Sequence, residues 1–510
     1  MPTKTKNAVA SGKSRPDARP RCSPGLDEFR EMASRGNLIP VWRELLADTL
    51  TPVSAFMRID TGSYSFLLES VEGGEKWARY TILGANPSVI ISTKGGKGYV
   101  ESGGVVTESD IEGDPLDFLK GVMSRYIPVD APGLPRFFGG AVGYVGYDAV
   151  QYFEDVKLTE KPSTGCPDIL FMLSDTLLVF DNVSQKIKVV ANAHVGEDGS
   201  DASYQEAVSK IDALVGLLQA RPPKARRKKA KVAGRLSSNF TRRGFEKAVL
   251  ASKEYIKAGD IFQVVLSQRF EKKATIDPFD VYRALRVINP SPYMFYLKQG
   301  DFTLVGSSPE VMVRVEGGRI DLRPIAGTRP RGATEDEDRA LAEELMADPK
   351  ERAEHIMLVD LGRNDVGRVS KAGSVVVNEL MVVERYSHVM HIVSNVRGEL
   401  DPARDAYDVM RACFPAGTVS GAPKIRAMQI IDELEPTGRG PYAGAVGYFG
   451  FSGAMDTCIT IRTLMFNDGK VYVQAGAGIV ADSDPEKEYV ETVNKAAAMM
   501  KALDMAEEGL

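Results

Sequence analysis

The run Gly140-Ala-Val-Gly-Tyr-Val-Gly146 returns far downstream as Gly444-Ala-Val-Gly-Tyr-Phe-Gly450. Alternating glycine and apolar residues describe a strand that lets another backbone approach closely. Two such strands in one chain point to two halves that share an architecture and pack their glycine-bearing strands together. With 510 residues, the chain has room for two or three domains or one large intertwined body.

The surrounding sequence is that of a folded protein, with 43% hydrophobic and 26% charged residues, which excludes disorder, collagen and coiled coil for the whole chain. Lys and Arg number 64 against 69 acids, a net charge of −5, so no global basic field favours nucleic acid or an anionic membrane. No apolar run approaches the ~18 residues of a bilayer span, and the N-terminus lacks the apolar core of a secretory signal. The chain reads as cytoplasmic. Cys22, Cys166, Cys413 and Cys458 form no C-x-x-C pair, which argues against a disulfide framework or a thiolate zinc site.

Two composition breaks divide the sequence. Residues 1–24 are rich in Lys, Arg, Ser and Pro and read as a disordered basic tail, with a transit-like or polyanion-touching arm as the other reading. Residues 221–236, with Pro222-Pro223 and then Arg226, Arg227, Lys228, Lys229 and Lys231, read as a solvated linker because no aromatic is interleaved. An N-terminal half, 25–220, and a C-terminal region, 237–510, remain.

The first half is strand-rich, with runs at Tyr64–Glu69, Ser88–Thr93 and Thr176–Phe180. After the linker, a helix is expected from Arg242 to Ala258, stopping at Gly259. A strand Ile261–Phe270 then alternates Phe262, Val264 and Leu266 against Gln263, Ser267 and Arg269. The pattern predicts an α/β or α+β fold.

Asp348-Pro349-Lys350-Glu351 has the grammar of a helix start, with Asp348 as N-cap, Pro349 in the first turn and Glu351 placed for a capping box; the helix should run to about Gly362. Glu351 and Glu354 share a face. Asp484-Pro485 repeats this grammar ahead of Glu488 and Glu491. Two E-x-x-E faces suggest carboxylates converging on a hard cation such as Mg²⁺. The competing reading is that glutamates at helix N-termini favour the macrodipole and face water.

Other segments point to anions. Phe414-Pro-Ala-Gly-Thr-Val-Ser-Gly-Ala-Pro-Lys424 reads as a small-residue loop entering a helix, and Gln474-Ala-Gly-Ala-Gly478 as a second loop after the strand Lys470–Val473. Each is either an anion cradle or a tight packing turn. Arg462, in the strand-like run Thr457–Phe466, needs an anionic partner, either an internal acid or a substrate carboxylate. His388 and His391, three apart, lack a third metal-ligand motif, so an acid/base or buried hydrogen-bonding role fits better.

Taken together, Pro324-Ile-Ala-Gly-Thr-Arg-Pro-Arg331, His355 to Asp365, the Phe414–Lys424 run, Asp456 to Arg462 and Gln474–Gly478 closely resemble the chorismate-utilising enzymes, and among these the anthranilate-forming large subunits. The resemblance extends from about Ala55 to Leu503. It implies a two-layer, sandwich-like chorismate-binding fold with two interleaved halves, and amination of chorismate at C2 by ammonia followed by loss of pyruvate to give anthranilate. That reaction opens tryptophan biosynthesis.

The resemblance also implies roles. Glu354 and Glu491 match magnesium carboxylates with Glu351 and Glu488 beside them, and Tyr442, Arg462, Gly476, Ala477 and Gly478 match contacts to substrate carboxylates. Gly327 and Thr328 match a further substrate contact. Glu310 matches the acid for the departing C4 hydroxyl, and His391 the residue for aromatising loss of pyruvate. Gln263 stands where isochorismate- and salicylate-forming relatives carry a lysine, and Ala326 where aminodeoxychorismate-forming relatives carry one, so both alternatives are disfavoured. Leu67-Leu-Glu-Ser70 and Pro292-Tyr293-Met294 match tryptophan-binding segments of feedback-inhibited members. No cysteine sits in a glutaminase elbow, so ammonia is expected from a separate glutamine amidotransferase subunit in a hetero-oligomer. A catalytically silent amino-acid-binding protein is the non-enzyme alternative, opposed by the intact Glu354, Glu491, His391 and Arg462.

Overall fold

The computed structural model describes residues 21–70, 79–221, 232–274, 276–386 and 389–509. The basic tail through residue 20, the linker residues 222–231 and His388 lie outside them.

Strand alternation creates the layers. In Tyr64–Glu69, Phe66 enters an apolar core shared by two sheets while Leu67 faces helices on the outside. Val142 and Tyr144 of Gly140–Val145 enter the same shared core, and Ala141 and Val145 turn outward. Each large side chain fully buried in this way, such as Phe66, contributes about 1.5–3 kcal/mol. Among the described residues the body is therefore a sandwich of two antiparallel twelve-stranded sheets with helices over the outer faces.

Both sheets draw on both halves of the chain. From the midline of the first sheet, one half places Tyr64–Glu69, Tyr80–Ala85, Thr176–Asp181, Lys186–His194 and Leu38–Leu46 in succession. In the same chain order the other half places Tyr293–Gln299, Phe302–Ser308, Thr463–Asn467, Lys470–Ile479 and Gln263–Ala274. The second sheet repeats the device, with Gly140–Val145 and Ala445–Gly450 at its midline. The echoed strands pair with each other, Gly143 opposite Gly447. A Cβ on Gly143 would collide with the Leu170 carbonyl, and one on Gly447 with that of Asp456, so the glycines do mark close backbone approach.

Several expected elements differ. The helix Arg242–Ala258 ends at Gly259 with φ +84°, as expected, but the next strand begins at Gln263 and leaves Phe262 exposed. Helix Pro349–Gly367 runs past Gly362. Thr457–Phe466 is not one strand: Met455–Ile459 belongs to the second sheet and Thr463–Asn467 to the first. The chain crosses the sandwich between them, where alternation alone cannot reveal a change of sheet. No helix among the described residues is long and apolar enough to cross a membrane, and all four cysteines are free.

Candidate active site

The two Asp-Pro starts are real helix caps. The Asp348 carboxylate accepts from the amides of Lys350 at 3.0 Å and Glu351 at 3.3 Å, and Asp484 accepts from the Lys487 amide at 3.0 Å. Glu351 does not close a capping box; its carboxylate takes Arg329 at 3.4 Å and lies beside Gly327. Glu354, one turn on, accepts from Gln263 Nε2 at 3.2 Å. Burial holds the Glu354 carboxyl above its ordinary value, with Glu351 and Glu491 adding to it against Gln263 and Lys350. Burial likewise raises Glu488, and Glu491 contributes. The two E-x-x-E faces thus address one another. Among the described residues, however, no three acidic, His or Cys side chains close on a common point, and Glu491 is engaged by Lys495 at 2.5 Å.

Arg462 occupies the crossing between the sheets, with φ +52°. A non-glycine residue in that left-handed region is strained, and such strain is commonest at functional sites. Its guanidinium has no ion-pair partner among the described residues. Burial lowers it from its ordinary value, while Tyr442, Glu491 and Glu310 pull it back up. Tyr442 is buried beside it, its phenol pushed up to about 12 by burial.

Gln474–Gly478 is not a loop but part of the strand Lys470–Ile479, with Gly476 opposite Ser267 and Gly478 opposite Val265. Small side chains are required here: a Cβ on Gly476 would lie 2.7 Å from the Tyr442 hydroxyl, and one on Gly478 2.5 Å from Gln263 Nε2. Thr463–Asn467 pairs with this strand only as far as Val473. Beyond that point the backbone edge faces the cleft, where the Gly476 carbonyl accepts from Lys495 at 2.9 Å. In the Phe414–Lys424 run the amides of Val419 and Ser420 bond within the turn, and Lys424 is buried against Asp365 at 2.8 Å. That run is a packed support.

His391 lies on the strand Val389–Glu399, directly opposite Thr328. Its Nδ1 is 2.9 Å from the Gly327 carbonyl oxygen and 3.1 Å from Thr328 Oγ1. A carbonyl can only accept, so Nδ1 carries the proton and Nε2 keeps a lone pair. Burial lowers the imidazole from its ordinary value, partly offset by that bond. Glu310, also buried, has its carboxyl pushed up to about 8 by desolvation, with Arg462 opposing. It is an acid at neutral pH.

A cavity of about 680 Å³ joins Thr328, His391, Arg462, Glu491 and Lys495. A smaller one of about 70 Å³ shares Arg462 and Lys495 and is lined by Tyr442 and Gly476. Sequence reasoning missed Lys495, although Glu491 and Lys495 have the i,i+4 spacing of a helical ion pair. Ser70, Pro292, Tyr293 and Met294 come together elsewhere, around a cavity of about 460 Å³ between the sheets. There Asp456 accepts from the Tyr293 hydroxyl at 2.8 Å and pairs with Arg314 and Arg136. Pro292 lines both this cavity and the larger one.

The sequence profile of the chorismate binding enzymes covers residues 65–501. The anthranilate synthase component 1 of Acetivibrio thermocellus is 51% identical over 494 residues, 95% of this chain and 99% of its own length. The crystal structure of anthranilate synthase component I from Streptococcus pneumoniae superposes with a TM-score of 0.74 at 40% identity, covering 89% of this chain and 98% of that one. The menaquinone-specific isochorismate synthase of Escherichia coli has the same fold, with a TM-score of 0.69 at 19% identity over 94% of this chain and 98% of its own. With the interleaved sheets and a profile match across most of the sequence, the chain belongs to the chorismate binding enzymes.

Proposed function

We propose that this chain is the chorismate-aminating large component of an anthranilate synthase. The observation that carries the reading is the Arg462 guanidinium, held at a strained corner without an ion-pair partner among the described residues and facing a cleft shared with His391 and Glu491. Such a group suits a substrate carboxylate.

In this reading Arg462, Tyr442 and the backbone of Gly476, Ala477 and Gly478 hold the carboxylates of chorismate, with Gly327 and Thr328 as a further contact. Ammonia attacks C2, the ring double bonds shift, and the C4 hydroxyl leaves as water with the proton of Glu310. Gln263 offers an amide and no base, which favours ammonia over an activated water as nucleophile. The neutral His391 then takes the C2 proton through Nε2, the enolpyruvyl group departs as pyruvate, and the ring becomes aromatic.

Glu354 and Glu491, with Glu351 and Glu488 beside them, would hold Mg²⁺. The fit rests on their all-oxygen donor set and on a Glu354 carboxyl held up by burial and its acidic neighbours, a state that a hard cation relieves. The ion would neutralise substrate carboxylate charge.

Residues 237–510 form the catalytic region and residues 25–220 the half with the regulatory region, tryptophan sitting where Ser70 of that half meets Pro292, Tyr293 and Met294 of the catalytic region. Ammonia comes from a separate glutamine amidotransferase subunit, and the assembly works in the cytoplasm. The purified chain with chorismate and Mg²⁺ should consume chorismate when given ammonium but not when given glutamine. Unaided use of glutamine would overturn the two-component reading.

A further inference from the structure

We infer that Arg439 is a positioning residue for the substrate-carboxylate cradle, acting through a buried ion pair with Glu435. The inference rests on the reading of the Arg462 cleft as the chorismate site.

Both residues are 3% exposed. The guanidinium donates from Nε to Glu435 Oε2 at 2.9 Å and from Nη2 to Oε1 at 2.6 Å. It also donates from Nη1 to the Val419 carbonyl and from Nη2 to the Val265 carbonyl, each at 2.7 Å. Glu435 Oε1 in turn accepts from the Ser267 amide at 2.8 Å and its hydroxyl at 2.9 Å. Ser267 Oγ accepts from Gln474 Nε2 at 2.8 Å. The face of the guanidinium lies 4.7 Å from the ring centroid of Tyr147 and 5.6 Å from that of Tyr442.

One ion pair therefore fixes four pieces that are far apart in sequence: the turn at Val419, the strand through Val265, the start of Gln474–Gly478 and the Tyr442 ring. Val265, Val419, Tyr442, Gln474 and Gly476 all line the small cavity beside Arg462. A buried ion pair is a poor source of stability against apolar packing of the same volume, since desolvation offsets the attraction. Its geometry is what apolar residues could not supply. Only a planar fork can serve a carboxylate along one edge and two carbonyls along the others while lying flat on a ring; an ammonium has the charge without the shape.

Arg439→Lys keeps the charge opposite Glu435 and removes the fork. With saturating ammonium and Mg²⁺, the expected result is a KM for chorismate raised about tenfold, with kcat and the KM for ammonium changed by less than about threefold, the signature of lost binding common to ground and transition states. Circular dichroism and thermal unfolding establish that the variant is folded. An unchanged chorismate KM in folded Arg439→Lys, or a fall in kcat alone, would overturn the inference. If that variant does not fold, Ser267→Ala decides. It keeps Arg439 opposite Glu435 but removes the hydroxyl that donates to Glu435 and accepts from Gln474, so a chorismate KM raised about threefold supports the inference and an unchanged one overturns it. Wild-type protein that does not turn over chorismate would refute the proposed function, a result distinguishable from either variant outcome.

Discussion

The His391 imidazole is fixed by the Gly327 carbonyl, 2.9 Å from Nδ1, which leaves Nε2 as a lone pair in the cavity shared with Arg462. With burial holding the imidazole below its ordinary value, the base form persists at mildly acidic pH where an exposed histidine would be charged. His391→Met should consume chorismate and ammonium yet release a non-aromatic amino compound that keeps its enolpyruvyl ether, detected by mass. Anthranilate formed at the normal rate would remove His391 from the second stage.

Glu310 should set the alkaline limb. Its carboxyl, about 8 against an ordinary 4.5, is the acid form at neutral pH and loses its proton as pH rises. At fixed free ammonia, kcat/KM for chorismate should fall with an apparent pKa near that value, and Glu310→Gln should lower kcat about a hundredfold or more while abolishing the limb. Stability follows the same sign. The folded state holds this proton more tightly than the unfolded state, so stability is fullest below 4.5 and falls as pH rises towards 8. Glu310→Gln should lack that loss in denaturant titrations across the interval.

Calorimetric titration with Mg²⁺ tests the carboxylate faces directly. Glu354→Gln and Glu491→Gln should each weaken binding about tenfold or more in the presence of chorismate and reduce turnover in parallel, with circular dichroism unchanged. Wild-type activity that survives exhaustive chelation would contradict the assignment.

Tyr293→Phe removes the 2.8 Å hydrogen bond to Asp456 at the second cavity. It should weaken tryptophan inhibition about tenfold and leave uninhibited kcat intact. In the wild type, tryptophan binding should weaken when chorismate and Mg²⁺ are saturating, because coupling between two sites is reciprocal. Tryptophan affinity indifferent to chorismate would end this account of regulation.

Local rules recovered local structure. The Asp348 and Asp484 caps, the strand Tyr64–Glu69 and the stop at Gly259 were all legible, because each depends on a few neighbouring residues. The glycine echo pointed to close packing of those two strands, which the structure realises as a pairing at the midline of the second sheet. The crossing at Arg462 was not legible: strand alternation continues through Ile459 and Ile461 although the backbone changes sheet, and only long-range pairing decides that. Gln474–Gly478 looked like a loop because its residues are small, whereas they are small to admit Tyr442 and Gln263 against a strand. Arg439 and Glu435 carried the i,i+4 signal of an ordinary surface pair, and nothing in the sequence marked them as buried.

The most direct test supplies the purified chain with chorismate, Mg²⁺ and ¹⁵N-ammonium and identifies the products by mass and fluorescence. The expected products are anthranilate carrying one ¹⁵N together with an equal amount of pyruvate. Formation of isochorismate, or of an amino product substituted at C4 with no pyruvate released, would contradict the proposed function.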